Sequence, residues 1–258
     1  MRFVVKVGTS TLMYKTGHLN VRRVEALCRV LSDLKNAGNE VVLVSSGSIG
    51  MGVGKLSLKE RPTDIPTKQA AAAVGQCELM YTYDKLFSEH RHTVAQILLT
   101  GSDIDHEDRR QNFQNTMRRL LELDVLPIIN ENDTVATEEI VIGDNDTLAG
   151  VVATTIGADL LILLSDIDGL YTADPHTDPD ARRIPVVEAV TDEVLALGGG
   201  SAGSLGTGGM MTKLRAAAHV TAEGIDMVIA NGDLPEILYD IVEGKDVGTR
   251  FLKQGEAK

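Results

Sequence analysis

The chain has 258 residues and a formal net charge of −12, with 43% hydrophobic and 24% charged residues. This length and composition are typical of a globular protein with one large α/β domain, or two small ones, that needs no disulfides to hold its core. The acidic balance argues against a nucleic-acid or anionic-membrane partner, because both require a basic face. With no signal peptide and no apolar run of ~18 residues in the sequence, we expect a cytoplasmic protein.

Short runs of branched apolar residues alternate with helix-like patterns along the chain. The predicted strands are residues 3–7, 41–44, 93–99, 125–129, 160–164 and 227–230. The predicted helices are residues 21–37, 67–89, 105–123, 146–156, 191–197, 210–222 and 235–242, the first with Asn20 as N-cap and Gly38 beyond its end. Residues 50–66 and 173–185 lack periodicity and are predicted to be loops, the first of them mobile. The alternation predicts an α/β fold with a mostly parallel sheet sandwiched by helices.

Two clusters of amide and carboxylate side chains, at residues 130–133 and 144–146, flank a short β-type segment. The first cluster follows a predicted strand and the second opens a predicted helix, so the two can converge beyond the carboxyl end of the sheet. Such side chains bind a cationic amine, a metal or a metal-bound phosphate. One cluster alone fits an Asx-turn or an N-cap equally well. Two clusters 14 residues apart favour a binding site.

Two lysines lie where a positive charge is unfavourable unless it meets an anion. Lys6 interrupts the apolar run of the first strand just before Gly8, and it either reaches a ligand at the strand's end or is an exposed edge-strand charge. Lys213 lies in the first turn of a helix that follows seven glycines within residues 198–209, and it either contacts a phosphate held there or is a solvated surface charge. Both lysines on one anion would neutralise a transferring phosphoryl group.

Other polar positions carry weaker signals. Ser46 and Gly47 follow the second predicted strand and indicate either a helix cap or a loop of backbone donors. Residues 165–168 follow another strand and indicate either a ribose or base contact or a simple turn. Cys28 and Cys77 form no metal or redox spacing and are expected to be buried small hydrophobes, and the six histidines are expected to be structural.

With these residues in view, the chain resembles the glutamate 5-kinases, a branch of the amino acid kinase family. The resemblance rests on motifs that span most of the chain: VKVGTS at 5–10, SSGS at 45–48, KQAAAAVGQ at 68–76, INENDTV at 129–135, GDNDTL at 143–148, GLYTADP at 169–175 and GTGGMMTK at 206–213. The 130–133 and 143–146 pair resembles the glutamate kinases specifically, whereas the Lys-x-Gly start is shared across the wider family.

The resemblance implies ATP-dependent phosphorylation of the side-chain carboxylate of L-glutamate, with Mg²⁺ bound mainly through the nucleotide phosphates. It implies catalytic roles for Lys6, Lys213 and Asp146. The implied glutamate-binding residues are Ser46, Asp133 and Asn145, with Asn130, Asp144 and Gly47 beside them. The implied ATP-binding residues are Gly8, Ser165, Asp166, Thr207, Gly208, Gly209, Met210, Met211, Thr212 and Lys213.

The resemblance also implies a single amino acid kinase domain over residues 1–258, with a glutamate-binding part at about 1–157 and an ATP-binding part at about 158–258. Many family members continue into a PUA domain, and none is expected here. Homo-oligomers (dimers or tetramers) and feedback inhibition by proline are further expectations from the family. Two alternatives stay open: a sibling kinase acting on N-acetylglutamate, aspartate or uridine monophosphate, and a catalytically silent amino-acid sensor.

Overall fold

The computed structural model describes residues 1–14, 16–135, 145–175, 177–199 and 209–255. Its strands are β1 Arg2–Val7, β2 Glu40–Ser45, β3 Val94–Leu99, β4 Leu126–Glu131, β5 Leu160–Ser165, β6 Leu170–Tyr171, β7 Arg183–Ile184, β8 Val186–Val187, β9 Asp226–Asn231 and β10 Thr249–Phe251. Eight of these strands form one sheet in the order β3-β4-β2-β1-β5-β9-β10-β8. Every pair in that sheet is parallel except β9 with β10.

Helices connect the strands and cover the sheet. They are α1 Thr9–Leu12, α2 Val21–Asn36, α3 Ser48–Lys55, α4 Ile65–Glu89, α5 Gly101–Asp105, α6 Glu107–Glu122, α7 Asn145–Ile156, α8 Asp192–Ala196, α9 Met210–Ala222 and α10 Ile237–Val242. Within the ranges that the structure describes, no helix combines the length and the apolar character that a membrane crossing requires.

The core forms two layers, one on each face of the sheet. Alternate residues of β1 point to opposite faces, so Phe3 and Val5 join one apolar cluster and Val4 joins the other. The first cluster packs β1 against α2, α4 and α10, and the second packs it against α6, α7 and α9. The predicted α/β fold, a mostly parallel sheet between two helical layers, is confirmed.

Each predicted strand and helix corresponds to an element of the structure, with ends that agree to within a few residues. Asn20 caps α2 by accepting a hydrogen bond from the backbone N–H of Arg23 at 3.2 Å, and Gly38 follows the helix with a left-handed φ of +91°. The helix predicted over residues 105–123 corresponds to α6 but begins two residues later, because His106 adopts an extended conformation and separates α6 from the short α5. Cys28 is buried as expected, whereas the burial expected for Cys77 is wrong, because this residue of α4 is exposed.

The loop predicted over residues 50–66 is wrong in its first third, where the chain forms α3. Three glycines in eight residues give this segment a poor intrinsic helix propensity. Tertiary packing compensates, because a Cβ atom on Gly52 would lie 1.8 Å from the carbonyl oxygen of Ala71. A Cβ atom on Gly75 would lie 1.8 Å from the carbonyl oxygen of Ser48. The glycines therefore allow α3 and α4 to meet backbone to backbone, and this contact fixes where α3 begins.

Candidate active site

The polar side chains of interest follow the central strands at one edge of the sheet. β1 pairs with β2 on one side and with β5 on the other, so the chain connections diverge at its carboxyl end. In open parallel sheets a crevice forms at such a point and receives the ligand. Gly8 follows β1, Ser46 follows β2, and Asn130 lies near the end of β4. One crevice thus gathers motifs that are far apart in the sequence.

A buried ion-pair triad lies at the base of this crevice. Lys6 Nζ is 2.6 Å from Asp146 Oδ1, and Lys213 Nζ is 2.9 Å from Asp146 Oδ2. The side chains of the two lysines are 9% and 8% exposed, and that of Asp146 is fully buried. β1 is central, so the alternative of Lys6 as an exposed edge-strand charge is wrong. The three groups together carry one net positive charge, which suits a bound anion.

The environment of Asp146 keeps it ionised. Burial favours the neutral acid, but the charges of Lys6 and Lys213 and their hydrogen bonds outweigh burial, so the pKa of Asp146 lies below its ordinary value. Asp146 also lies in the first turn of α7, where the helix dipole favours a negative charge. The Thr212 hydroxyl donates a third bond to its Oδ2, at 3.0 Å. The carboxylate therefore holds both lysines and the start of α9 in one place.

The side chain of Asn145, the residue before Asp146, organises a network of amide groups beside the triad. Asn145 Nδ2 donates to Ser46 Oγ at 2.8 Å and to Asn130 Oδ1 at 2.9 Å. Asn130 in turn donates from Nδ2 to Gln76 Oε1 at 2.9 Å, which links the network to α4. Asn145 and Asn130 are buried. Two consecutive residues of α7 therefore join the cationic triad to a polar pocket beside it.

That pocket, called here the acceptor pocket, has one carboxylate of unusual basicity. Asp133 Oδ2 accepts a hydrogen bond from Ser48 Oγ at 2.6 Å. Burial raises the pKa of Asp133 above its ordinary value, and the bond from Ser48 offsets only part of that effect. A cationic ligand group would restore the ionised form. The acceptor pocket is lined by Thr9, Ser46, Gly47, Ser48, Ile49, Gly50, Arg61, Asn130, Glu131, Asp133 and Asn145.

The expected nucleotide-binding residues lie on the other side of the triad. Gly209 is the N-cap of α9, and none of the described side chains caps that helix end, where the backbone N–H groups of Met210 and Met211 begin the helix. A Cβ atom on Gly8 would lie 3.6 Å from Lys6 Nζ, so glycine keeps the approach to that ammonium open. Ser165 ends β5 buried, and its hydroxyl donates to the exposed Asp166 at 3.2 Å.

The structure thus brings together most of the residues that the sequence singled out. Asp144, Thr207 and Gly208 lie outside the described residues. Sequence reasoning assigned no role to Gln76, Ser48 or Arg61. Ser48 and Gln76 lie inside the motifs SSGS and KQAAAAVGQ, which could have marked them as site residues. Arg61 lies in the segment predicted to be a loop, where no motif marked it. Among the described residues no group of three or more His, Cys, Asp or Glu side chains could hold a metal ion.

The fold is that of the amino acid kinases. The profile of the amino acid kinase family matches residues 1–231, so the chain belongs to that family. Among its relatives is the glutamate 5-kinase of Clostridium perfringens, which is 52% identical over 99% of this chain and 97% of its own length. The glutamate 5-kinase of Clostridium tetani is 54% identical over 96% of this chain and 93% of its own length. That of Listeria innocua is 51% identical over 99% and 94%.

Solved structures share the fold at low sequence identity. A carbamate kinase from Giardia lamblia bound to AMP-PNP superposes with a TM-score of 0.69 at 18% identity, covering 98% of each chain. The isopentenyl phosphate kinase of T. acidophilum, in a product complex, gives a TM-score of 0.66 at 15% identity and covers 97% of this chain and 100% of that one. These two similarities support the fold assignment.

Proposed function

We propose that this chain transfers the γ-phosphoryl group of ATP to the side-chain carboxylate of L-glutamate, which gives L-glutamyl 5-phosphate and ADP in the first step of proline biosynthesis. The observation that carries the proposal is the buried Lys6–Asp146–Lys213 triad beside the acceptor pocket. The relatives named as glutamate 5-kinases, about half identical over nearly the whole chain, support the same conclusion.

The chemistry needs electrostatic relief more than it needs a base. A glutamate side chain is ionised well above its pKa of about 4.3, so the attacking carboxylate oxygen carries its negative charge before the reaction starts. The barrier comes from bringing this anion in line with the anionic γ-phosphoryl group. Lys6 and Lys213, fixed by Asp146, place two preorganised ammonium groups where that charge accumulates. The new bond joins the carboxylate oxygen to phosphorus, and ADP leaves with the electrons of the broken P–O bond.

The acceptor pocket supplies groups that distinguish glutamate from other anions. Asp133 is positioned to accept the substrate ammonium, which would offset the desolvation that now raises the pKa of this carboxyl group. Asn145 and Ser46 lie where the pocket meets the triad and can orient the side-chain carboxylate toward phosphorus. An N-acetylated acceptor has no ammonium to pair with Asp133, and this argues against N-acetylglutamate as the substrate.

Nucleotide binding is proposed for the α9 side of the triad. The N-terminus of α9 can present the backbone N–H groups of Met210 and Met211 to phosphate oxygens, and the pair Ser165–Asp166 lies at the end of β5 for contact with the nucleoside. Both carboxylate oxygens of Asp146 already face lysines, so we propose that Mg²⁺ is held mainly by the phosphates of ATP. When bound, the ion would neutralise part of the phosphate charge.

Further proposals concern organisation and regulation. Residues of about 1–157 form the glutamate-binding part and those of about 158–258 form the ATP-binding part of one domain. We propose that the protein forms a dimer or tetramer in the cytoplasm. Proline, like glutamate, carries a cationic amine and a carboxylate on its α-carbon, so we propose that it inhibits the enzyme, which a proline titration against glutamate will test.

The function is tested by measuring ADP release with Mg-ATP and a panel of acceptors. The panel contains L-glutamate, N-acetyl-L-glutamate, L-aspartate and uridine monophosphate, with hydroxylamine present to trap an acyl phosphate. The proposal predicts turnover and γ-glutamyl hydroxamate with L-glutamate alone. Turnover with another acceptor and none with glutamate would assign the chain to a sibling kinase. A folded protein that binds glutamate but turns over no acceptor would be a sensor.

A further inference from the structure

The charges of the acceptor pocket leave one group of the proposed substrate without a counterpart. Free L-glutamate has a side-chain carboxylate, an ammonium group and an α-carboxylate. The proposed function places the side-chain carboxylate beside Asn145 and Ser46, where the pocket meets the triad, and it places the ammonium against Asp133. The α-carboxylate is the remaining charge, and burying it without a cation or hydrogen-bond donors would be costly.

Arg61 is the one cationic side chain among the described residues that line the acceptor pocket. It comes from the segment between α3 and α4, and its charge faces a pocket that also contains Asp133 and Glu131. Within the described part of the chain, Arg61 makes neither a hydrogen bond nor an ion pair. Its guanidinium group is therefore available to a ligand, and its planar pair of N–H donors matches a carboxylate.

We infer that Arg61 binds the α-carboxylate of the acceptor and makes the enzyme selective for a free α-amino acid. This inference rests on the proposed function. The distribution of charge supports it, since the exposed Arg61 shares the pocket lining with Asp133, and the cationic triad adjoins the same lining through Asn145, the neighbour of Asp146. The substrate likewise has two carboxylates, one on either side of the amino-bearing carbon and the side chain.

The test compares L-glutamate with L-isoglutamine, which keeps the ammonium and the side-chain carboxylate but has an uncharged α-amide. A charge-assisted hydrogen bond is worth roughly a 10- to 150-fold change in equilibrium, so Arg61→Ala should lower kcat/KM for glutamate by that factor. The same substitution should change kcat/KM for isoglutamine less than about threefold, because the amide never used the positive charge. Arg61→Lys should recover part of the loss with glutamate. If isoglutamine turns over too slowly, its inhibition constant against glutamate gives the same comparison.

Lys59→Ala is the matched control, because Lys59 is an exposed cation in the same segment and does not line the pocket. Lys59→Ala should leave kcat/KM unchanged for both glutamate and isoglutamine. The KM for ATP should be unchanged in every variant. Three outcomes would overturn the inference. They are an unchanged kcat/KM for glutamate in Arg61→Ala, an equal loss of kcat/KM for glutamate and isoglutamine in Arg61→Ala, and a loss of kcat/KM for glutamate in Lys59→Ala as large as that in Arg61→Ala. In each of these the wild-type enzyme still phosphorylates glutamate and the proposed function stands. Absence of wild-type turnover would overturn the proposed function, and this inference with it.

Discussion

Replacing Lys6 with methionine should abolish most activity while leaving the fold intact. At 2.6 and 2.9 Å, each lysine attracts Asp146 by about 6 kcal/mol at an effective dielectric constant of 20, most of it offset by desolvation. Because two lysines share one carboxylate, Lys6→Met leaves a neutral Asp146–Lys213 pair. We therefore expect a change in the free energy of unfolding of less than about 1.5 kcal/mol, as for other volume-conserving changes.

The opposite balance is expected for Asp146→Asn, which leaves two buried ammonium groups without their carboxylate. Removing one partner from a buried pair costs about 3–5 kcal/mol, so this variant should be the much less stable one. Both variants should be nearly inactive. For Lys6→Met the loss should be about 10²- to 10³-fold in kcat, as for the loss of one preorganised donor, with little change in the KM for glutamate.

The assays are urea unfolding and glutamate-dependent ADP release on the same preparations. Lys35→Met is the control, since Lys35 is also buried and also bound to an aspartate, Asp124, but lies far from the crevice. It should keep full activity. Turnover of glutamate by Lys6→Met within threefold of wild type would contradict the role of Lys6, and an Asp146→Asn variant as stable as wild type would contradict the role of Asp146.

Further predictions follow from the acceptor pocket and from the close contact of α3 with α4. Asp133→Asn should keep or raise the melting temperature. Folding raises the pKa of Asp133, so the ionised carboxylate destabilises the folded protein, and this destabilisation grows as the pH rises through the ordinary pKa of an aspartate. The same variant should raise the glutamate KM roughly 10- to 150-fold and spare that for ATP; an unchanged glutamate KM would remove Asp133 from the site. In the wild type, the glutamate KM should rise on acidification through the raised pKa of Asp133, and in Asp133→Asn this pH dependence should vanish. Gly75→Ala should destabilise by about 1–3 kcal/mol, because its Cβ would strike the Ser48 carbonyl. Gly150→Ala, whose Cβ meets only ordinary contacts from 3.5 Å, should be neutral or stabilising in thermal melts, and equal losses in the two variants would refute the packing argument.

Much of the fold could be predicted because the spacing of the apolar residues indicates the same strands and helices that the structure contains. Runs such as Val4–Val5 and the apolar stretch of β5 are continuous, as strands buried on both faces are, and α2 begins at a recognisable N-cap, Asn20. Residues 50–55 escaped prediction, because α3 exists through contact with α4 and not through its own propensity.

The candidate site divides in the same way. Lys6 and Lys213 could be singled out, since each stands where a charge is unfavourable without a partner. The sequence does not show which of these residues contact each other. Asp146 contacts both lysines and Asn145 contacts Asn130, and both contacts depend on where α7 starts. Arg61 gave no signal, because an arginine in a polar segment is ordinary until the fold brings the segment to the pocket.

The most direct test of the account follows the oxygen atom that the side-chain carboxylate donates. L-Glutamate labelled with ¹⁸O in that carboxylate is incubated with Mg-ATP and hydroxylamine, and the released phosphate is analysed by mass spectrometry. Attack of the carboxylate on phosphorus, followed by hydroxylamine attack at carbon, predicts one ¹⁸O atom in each glutamate-dependent phosphate and γ-glutamyl hydroxamate as the co-product. Unlabelled phosphate would show that water, and not glutamate, accepts the phosphoryl group, and it would contradict the account.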